Sequence, residues 1–164
     1  MAPGTAVAGE PVQKIRARPV QSPYRSRSSV PAMPELNHLM HVTPPFVPDG
    51  AEAMTMTVEL PPGDPGTPPH RHSGPVFGYL LEGELVFELE GEPERIVRAG
   101  EAFWEPGGDV IHYQAGNNLA DGWTRFVVVM LGVPGEPMLT LVDRAELDDR
   151  RHLRAPRPAT GGKA

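Results

Sequence analysis

The stretch GTPPHRHSGPVFGYLLEGEL, residues 66–85, runs from a Pro/Gly-rich loop through two imidazoles into a pair of strands. His70 and His72 are separated by a single residue. On a strand, residues i and i+2 point to the same side, so a His-x-His pair presents both rings to one space. Val76–Leu81 predicts a strand, and Glu82-Gly83 a turn. Glu84–Glu90 (ELVFELE) then alternates, with Leu85, Phe87 and Leu89 sharing a face, the period of a half-buried strand.

The same pattern extends both ways. Upstream, Met54, Met56, Val58 and Leu60 alternate with Thr55, Thr57 and Glu59 in Ala53–Leu60, and the Pro61–Pro69 loop ends that ladder. Downstream, strands are predicted at Arg95–Arg98, Ala102–Trp104, Val110–Gln114, Thr124–Leu131 and Met138–Val142, separated by Gly, Pro or Asn. Asp143–Leu153 fits a terminal helix or one or two helical turns. With 18 Gly and 21 Pro in 164 residues, a helical bundle is excluded, since both residues interrupt helices. Many closely spaced short strands without an internal repeat predict one all-β sandwich or barrel. Its candidate interior is Met54, Met56, Val58, Phe87, Phe126, Val128 and Met130. A lining this apolar and rich in methionine suits a medium-sized apolar or aromatic molecule. Arg71 and Arg125 have the opposite parity and are expected outside.

Charge divides the chain. Residues 1–34 carry five basic residues against Glu10 alone, residues 150–164 carry five with no acidic residue, and residues 35–149 carry 5 basic and 20 acidic. So acidic a body repels phosphate backbones, which argues against nucleic acid as a partner. The expected organisation is a disordered basic, Pro-rich arm over 1–34, a β-barrel domain over 35–154 and a disordered tail over 155–164, with the basic ends read as solvated and, as the alternative, as paired loosely with the acidic body or with a polyanion. No apolar run reaches the roughly 20 residues a membrane helix needs. The N-terminus does not read as a secretory signal. The absence of cysteine excludes disulfides, zinc–thiolate sites and thiol nucleophiles. The cytoplasm is the simplest compartment.

A third histidine, His112, closes a second stretch, GEAFWEPGGDVIH, residues 100–112. Imidazole suits first-row transition metals, and three such ligands with open positions make a catalytic site. Taken together, His70-Arg71-His72 with Gly83, and Gly100 with Pro106-Gly107, His112 and Asn117 downstream, resemble the two motifs of the cupin superfamily over Gly66–Leu131. The resemblance implies a small single-domain antiparallel jelly-roll barrel with a metal held inside by His70, His72 and His112. It further implies a homodimer, with Glu35–Thr43 the candidate for exchange between subunits.

Two departures stand out. Where the family usually has a glutamate ligand this chain has Val76, or Phe77 at the alternative offset, and neither binds metal. The loop from Pro106 to His112 is one residue longer than the family pattern. A three-histidine site is therefore expected. Gln114 shares the face of His112 by the i, i+2 rule, as a weak fourth ligand, a substrate partner or an ordinary strand residue. Glu105, expected at the barrel mouth, is the best placed free carboxylate for general base work, against a plain solvated glutamate. His38 and His41 read as surface or interface residues, and His152, among arginines, as no ligand.

The expected function is a metal-dependent enzyme acting on a small apolar or enolisable molecule. One divalent ion (Fe, Mn, Ni or Zn) would serve in a dioxygenase, or in a polyketide cyclase or isomerase of Lewis-acid type. The alternatives are a non-catalytic ligand- or metal-binding barrel, favoured by Val76, and a purely structural subunit. Against the last, burying three imidazoles without partners is costly.

Overall fold

The computed structural model describes residues 35–156, and the compact unit begins at Asn37. The arm expected over 1–34 and the tail after 156 lie outside the described residues. Nine strands occur in chain order: β1 Glu52–Leu60, β2 His70–Arg71, β3 Val76–Glu82, β4 Glu84–Leu89, β5 Arg95–Arg98, β6 Ala102–Glu105, β7 His112–Asn117, β8 Thr124–Gly132 and β9 Thr140–Leu141. They form two sheets, ordered β1-β8-β3-β6 and β5-β4-β7-β2-β9, and every pairing is antiparallel. The all-β barrel expected from the alternation is the observed architecture.

The inner face of the first sheet is built in rows by the strand register. One row reads Met54–Met130–Val76–Glu105 and the next Met56–Val128–Gly78–Phe103. Gly78 is the necessary gap in the second row: a Cβ there would lie 2.1 Å from Phe103 Cζ. The Phe103 ring fills that space and meets Phe87 and Phe126, with centroids 5.1 and 5.7 Å away. Leu80, Leu85, Phe87 and Phe103 are essentially sealed from solvent, each stabilising the fold by about 1.5–3 kcal/mol.

The second sheet departs from the sequence reading at two places. First, β7 begins at His112 rather than Val110, because the turn before it is longer than expected. Gly107 and Gly108 adopt φ of +72° and +65°, and Gly107 presses so closely on the Gly74 backbone that a Cβ would overlap it at 2.2 Å. Second, β4 and β7 slip register between Glu88 and Leu89. His112 opposes Leu89 while Gln114 opposes Glu88, and Tyr113 is the extra residue of a bulge. A bulge reverses the alternation beyond it, so Ala115 rather than Gln114 reaches the interior wall beside His112.

The C-terminal segment also corrects an expectation. Helix α1 spans Arg144–Asp149, capped by Asp143, whose side chain accepts from the Glu146 N–H, and a 3-10 turn follows over Arg150–Leu153. Arg150 and Arg154 are not solvated tail residues. Arg150 bonds Glu90 and Asp109, and Arg154 makes a two-pronged bond, 2.5 Å on each side, to Glu88, which is 1% exposed. The acidic body thus draws the basic segment onto the outer face of the second sheet. Among the described residues, no helix is long and apolar enough to cross a membrane.

Candidate metal centre

Four buried side chains converge between the sheets. His70 starts β2 and pairs directly with His112, the first residue of β7. His72 follows β2, and Glu105 ends β6. One ligand-type atom from each of His70, His72, Glu105 and His112 lies within 4.8 Å of all the others. His70 Nε2 and His72 Nε2 are 3.2 Å apart, and Glu105 Oε2 is 3.3 Å from His72 Nε2 and 2.9 Å from His112 Nδ1.

The outer nitrogens of the three rings determine what the inner ones can do. His70 Nδ1 is 2.8 Å from the Pro68 carbonyl, His72 Nδ1 is 2.7 Å from that of Met138, and His112 Nε2 is 2.9 Å from that of Gln114. A carbonyl only accepts, so each ring's N–H faces outward and its lone pair faces the cluster. Main-chain acceptors of this kind orient imidazoles toward metals. Burial foremost, then the charges of His112 and His72, lowers His70 from 6.5 to about 4, against the pull of its Pro68 hydrogen bond and of Glu105. Burial, the largest influence, would raise the Glu105 carboxyl, but the closeness of His112 first, then of His72 and His70, holds it below its ordinary value. The centre therefore presents an ionised carboxylate to converging nitrogens. His112 Nδ1 is buried without a well-formed hydrogen bond, although Glu105 Oε2 is 2.9 Å away. Such a gathering of acceptors calls for a cation, either an extra proton or a metal ion. Three imidazoles and a carboxylate fit a first-row divalent ion.

The structure brings together the three histidines expected from sequence and adds Glu105 to them. Glu105 is 5% exposed, so it is not a free carboxylate at the barrel mouth. It stands directly opposite Val76 in the β3–β6 register. The signal was present in strand parity: Phe103 points inward, and Glu105 is two residues on. Gln114 enters only through its main-chain carbonyl on His112, because of the bulge. His152 is exposed and turned to the Asp149 carbonyl, and His38 and His41 lie outside the cluster.

A cavity of about 220 Å³ adjoins the cluster. Met54, Met56, Val58, Phe126, Val128 and Met130 form its wall on the first sheet. Among the described residues, Thr67 supplies the one hydrogen-bonding side chain on the lining apart from the four-residue cluster.

A family profile described as the cupin domain matches residues 56–130, a span that contains all four residues of the cluster. Residues 56–130 are a cupin domain. No curated protein matches it in sequence. Among solved structures, this chain is similar to oxalate oxidase in complex with the substrate analogue glycolate, at 28% identity over 55% of this chain and 46% of that one, with a TM-score of 0.46. It is similar also to a DMSP lyase from Ruegeria pomeroyi (24%, 55% and 43%, TM-score 0.46) and to a predicted oxalate decarboxylase from Thermotoga maritima (26%, 52% and 70%, TM-score 0.43). The match spans less than half the length of the oxalate oxidase.

Proposed function

We propose that this cupin is a metal-dependent enzyme acting on a small, largely apolar molecule that carries an oxygen-bearing, enolisable group. The observation that supports this reading is the inward convergence of three imidazole lone pairs and the Glu105 carboxylate within 4.8 Å, at a cavity otherwise lined by apolar side chains.

In this reading His70, His72, His112 and Glu105 hold one divalent ion, Fe, Mn, Ni or Zn. When bound, the ion would supply Lewis acidity and, if redox-active, electrons for dioxygen chemistry. The chain's own contribution is orientation and exclusion. The carbonyls of Pro68, Met138 and Gln114 fix the three rings. The walls of Met54, Val58, Phe126 and Val128 keep water from the substrate body, and Thr67 Oγ1 can address one polar group on it. Among the described residues, Glu105 is the only carboxylate on the cavity lining, and so the group that can take a proton there. The reaction classes that fit are dioxygenation, or cyclisation or isomerisation through an enol. A non-catalytic barrel drew its support from Val76 in place of a carboxylate, and Glu105 supplies that carboxylate from the facing strand. We also take the protein to act as a cytoplasmic homodimer, on the strength of the cupin resemblance and the cysteine-free composition.

The test is elemental mass spectrometry of untagged protein prepared without chelator, beside a His70→Ala/His72→Ala variant. The expected result is about one metal per chain, lost in the variant. Loaded protein is then offered β-diketones and enolisable aromatic ketones, with dioxygen uptake and product formation followed. A parent that neither carries nor takes up Fe(II), Mn(II), Ni(II) or Zn(II) overturns the reading.

A further inference from the structure

Arg71 lies between two histidines of the cluster but points the opposite way, onto the C-terminal segment. Its Nε donates to the Asp109 carbonyl at 2.9 Å, and its guanidinium also reaches the Asp109 carboxylate at 3.4 Å and bonds Glu146 of α1. Arg150 grips the same aspartate from the other side. Its Nη1 donates to Asp109 Oδ2 at 2.7 Å and its Nη2 to the Asp109 carbonyl at 3.2 Å, while the same guanidinium holds Glu90. The Arg71 and Arg150 side chains are only 18% and 19% exposed.

Asp109 occupies the turn that delivers His112 to the cluster. The neighbouring Gly108 N–H donates to the His72 carbonyl at 2.9 Å. The turn is thus bonded to the backbone of the His70–His72 strand on one side and to the C-terminal segment on the other. Two ligand-bearing elements far apart in sequence, paired in the sheet at His70 and His112, are tied a second time through one residue clasped by two arginines.

We propose that the Arg71–Asp109–Arg150 clasp, with Glu146, positions the metal centre: the C-terminal segment sets the spacing between the His70/His72 pair and His112. Arg71, Asp109 and Arg150 are positioning residues and touch neither metal nor substrate. The proposal rests on the metal reading above. A buried four-atom cluster tolerates little drift, since partners that merely orient ligands are worth about 10–100-fold in metal affinity. The Asp109 and Glu146 carboxylates lie near solvent and their pairs add little global stability, so positioning and folding are separable at Arg71 and Glu146, whereas Arg150 also pairs with the buried Glu90.

The experiment measures Zn(II) affinity by chelator competition and the Co(II) absorption spectrum in the full chain, with urea midpoints as the folding control. Arg71→Ala and Arg150→Ala are expected to bind zinc about tenfold or more weakly and to alter the Co(II) bands, Arg71→Ala with a midpoint near the parent's and Arg150→Ala with a lower one, since it leaves Glu90 buried and unpaired. Arg71→Lys, which keeps the charge without the fork, should fall between. Glu146→Ala, changed on a partly exposed helix position, should shift affinity in the same direction even if Arg71→Ala folds poorly. Parent-like zinc affinity and Co(II) bands in Arg150→Ala and Glu146→Ala overturn the proposal while leaving the metal reading intact. A parent that binds no zinc overturns the metal reading, and the clasp with it.

Discussion

Val76 on β3 and Glu105 on β6 are directly opposed across the sheet, at the end of the row Met54–Met130–Val76–Glu105, and only Glu105 turns a carboxylate into the histidine cluster. Cross-strand partners have Cβ atoms about 4.5–5.5 Å apart, so a carboxylate at either position addresses the same space. The cluster has kept its negative member by drawing it from the neighbouring strand.

Glu105→Val is therefore expected to lower zinc affinity by about 100-fold or more, beyond what orienting partners alone cost. The exchange Val76→Glu/Glu105→Val should return a large part of it. Chelator competition measures both. Full affinity in Glu105→Val would show that the histidines alone hold the ion.

Most of the fold was legible because the strands alternate cleanly: Ala53–Leu60 and Thr124–Leu131 placed Met54, Val58, Phe126 and Val128 on the inner face where they are found. The site was legible in its histidines, because a His-x-His pair has one geometry on an extended chain. What stayed hidden were relations across strands. Nothing local in Glu105 says that it faces Val76, and nothing in His112-Tyr113-Gln114 reveals the slip against Glu88 and Leu89. The partners of Arg150 and Arg154 stayed hidden because Glu88, Glu90 and Asp109 lie about 40–65 residues away, a distance that composition does not report.

Gly78 is expected to tolerate no side chain. A Cβ there would meet the Phe103 ring at 2.1 Å, and overpacking of this kind costs about 1–3 kcal/mol. Gly78→Ala should lower the urea midpoint accordingly, and Gly78→Ala/Phe103→Leu should recover part of the loss. An unchanged midpoint in the single variant would mean that Phe103 moves aside freely.

The cavity predicts a preference among ligands. An apolar cavity of about 150 Å³ can hold benzene, so about 220 Å³ admits one ring with a short substituent. A second carboxylate would be buried against Met and Val without a partner, at a cost of several kcal/mol. Calorimetry on zinc-loaded protein should show benzoylacetone binding more tightly than oxalate. The reverse order would remove the apolar-substrate class and leave the metal site standing.

Acid should loosen the metal-free protein in a defined window. His70 sits at about 4 when folded, for reasons of burial first, against 6.5 for the ordinary imidazole. Between those values the unfolded chain binds a proton that the folded chain refuses, so falling pH favours unfolding. The full shift is worth about 3 kcal/mol, present above pH 6.5 and lost progressively toward pH 4. Glu105 acts in the same direction at lower pH, since its folded carboxyl is held below the ordinary value. The exposed carboxyls of Asp109 and Glu146 are also lowered, first by the hydrogen bonds of Arg150 and Arg71, and act in the same direction as pH falls. Urea midpoints of metal-free protein should therefore fall steadily from pH 7 to 4.5, and His70→Asn should flatten that slope. Zinc binding requires neutral imidazoles and an ionised carboxylate, so its affinity should weaken over the same range as protons compete for the ligands. A metal-free chain equally stable at pH 7 and 4.5 would mean that His70 is as free to take a proton when folded as when unfolded, contrary to its burial and to the charges around it.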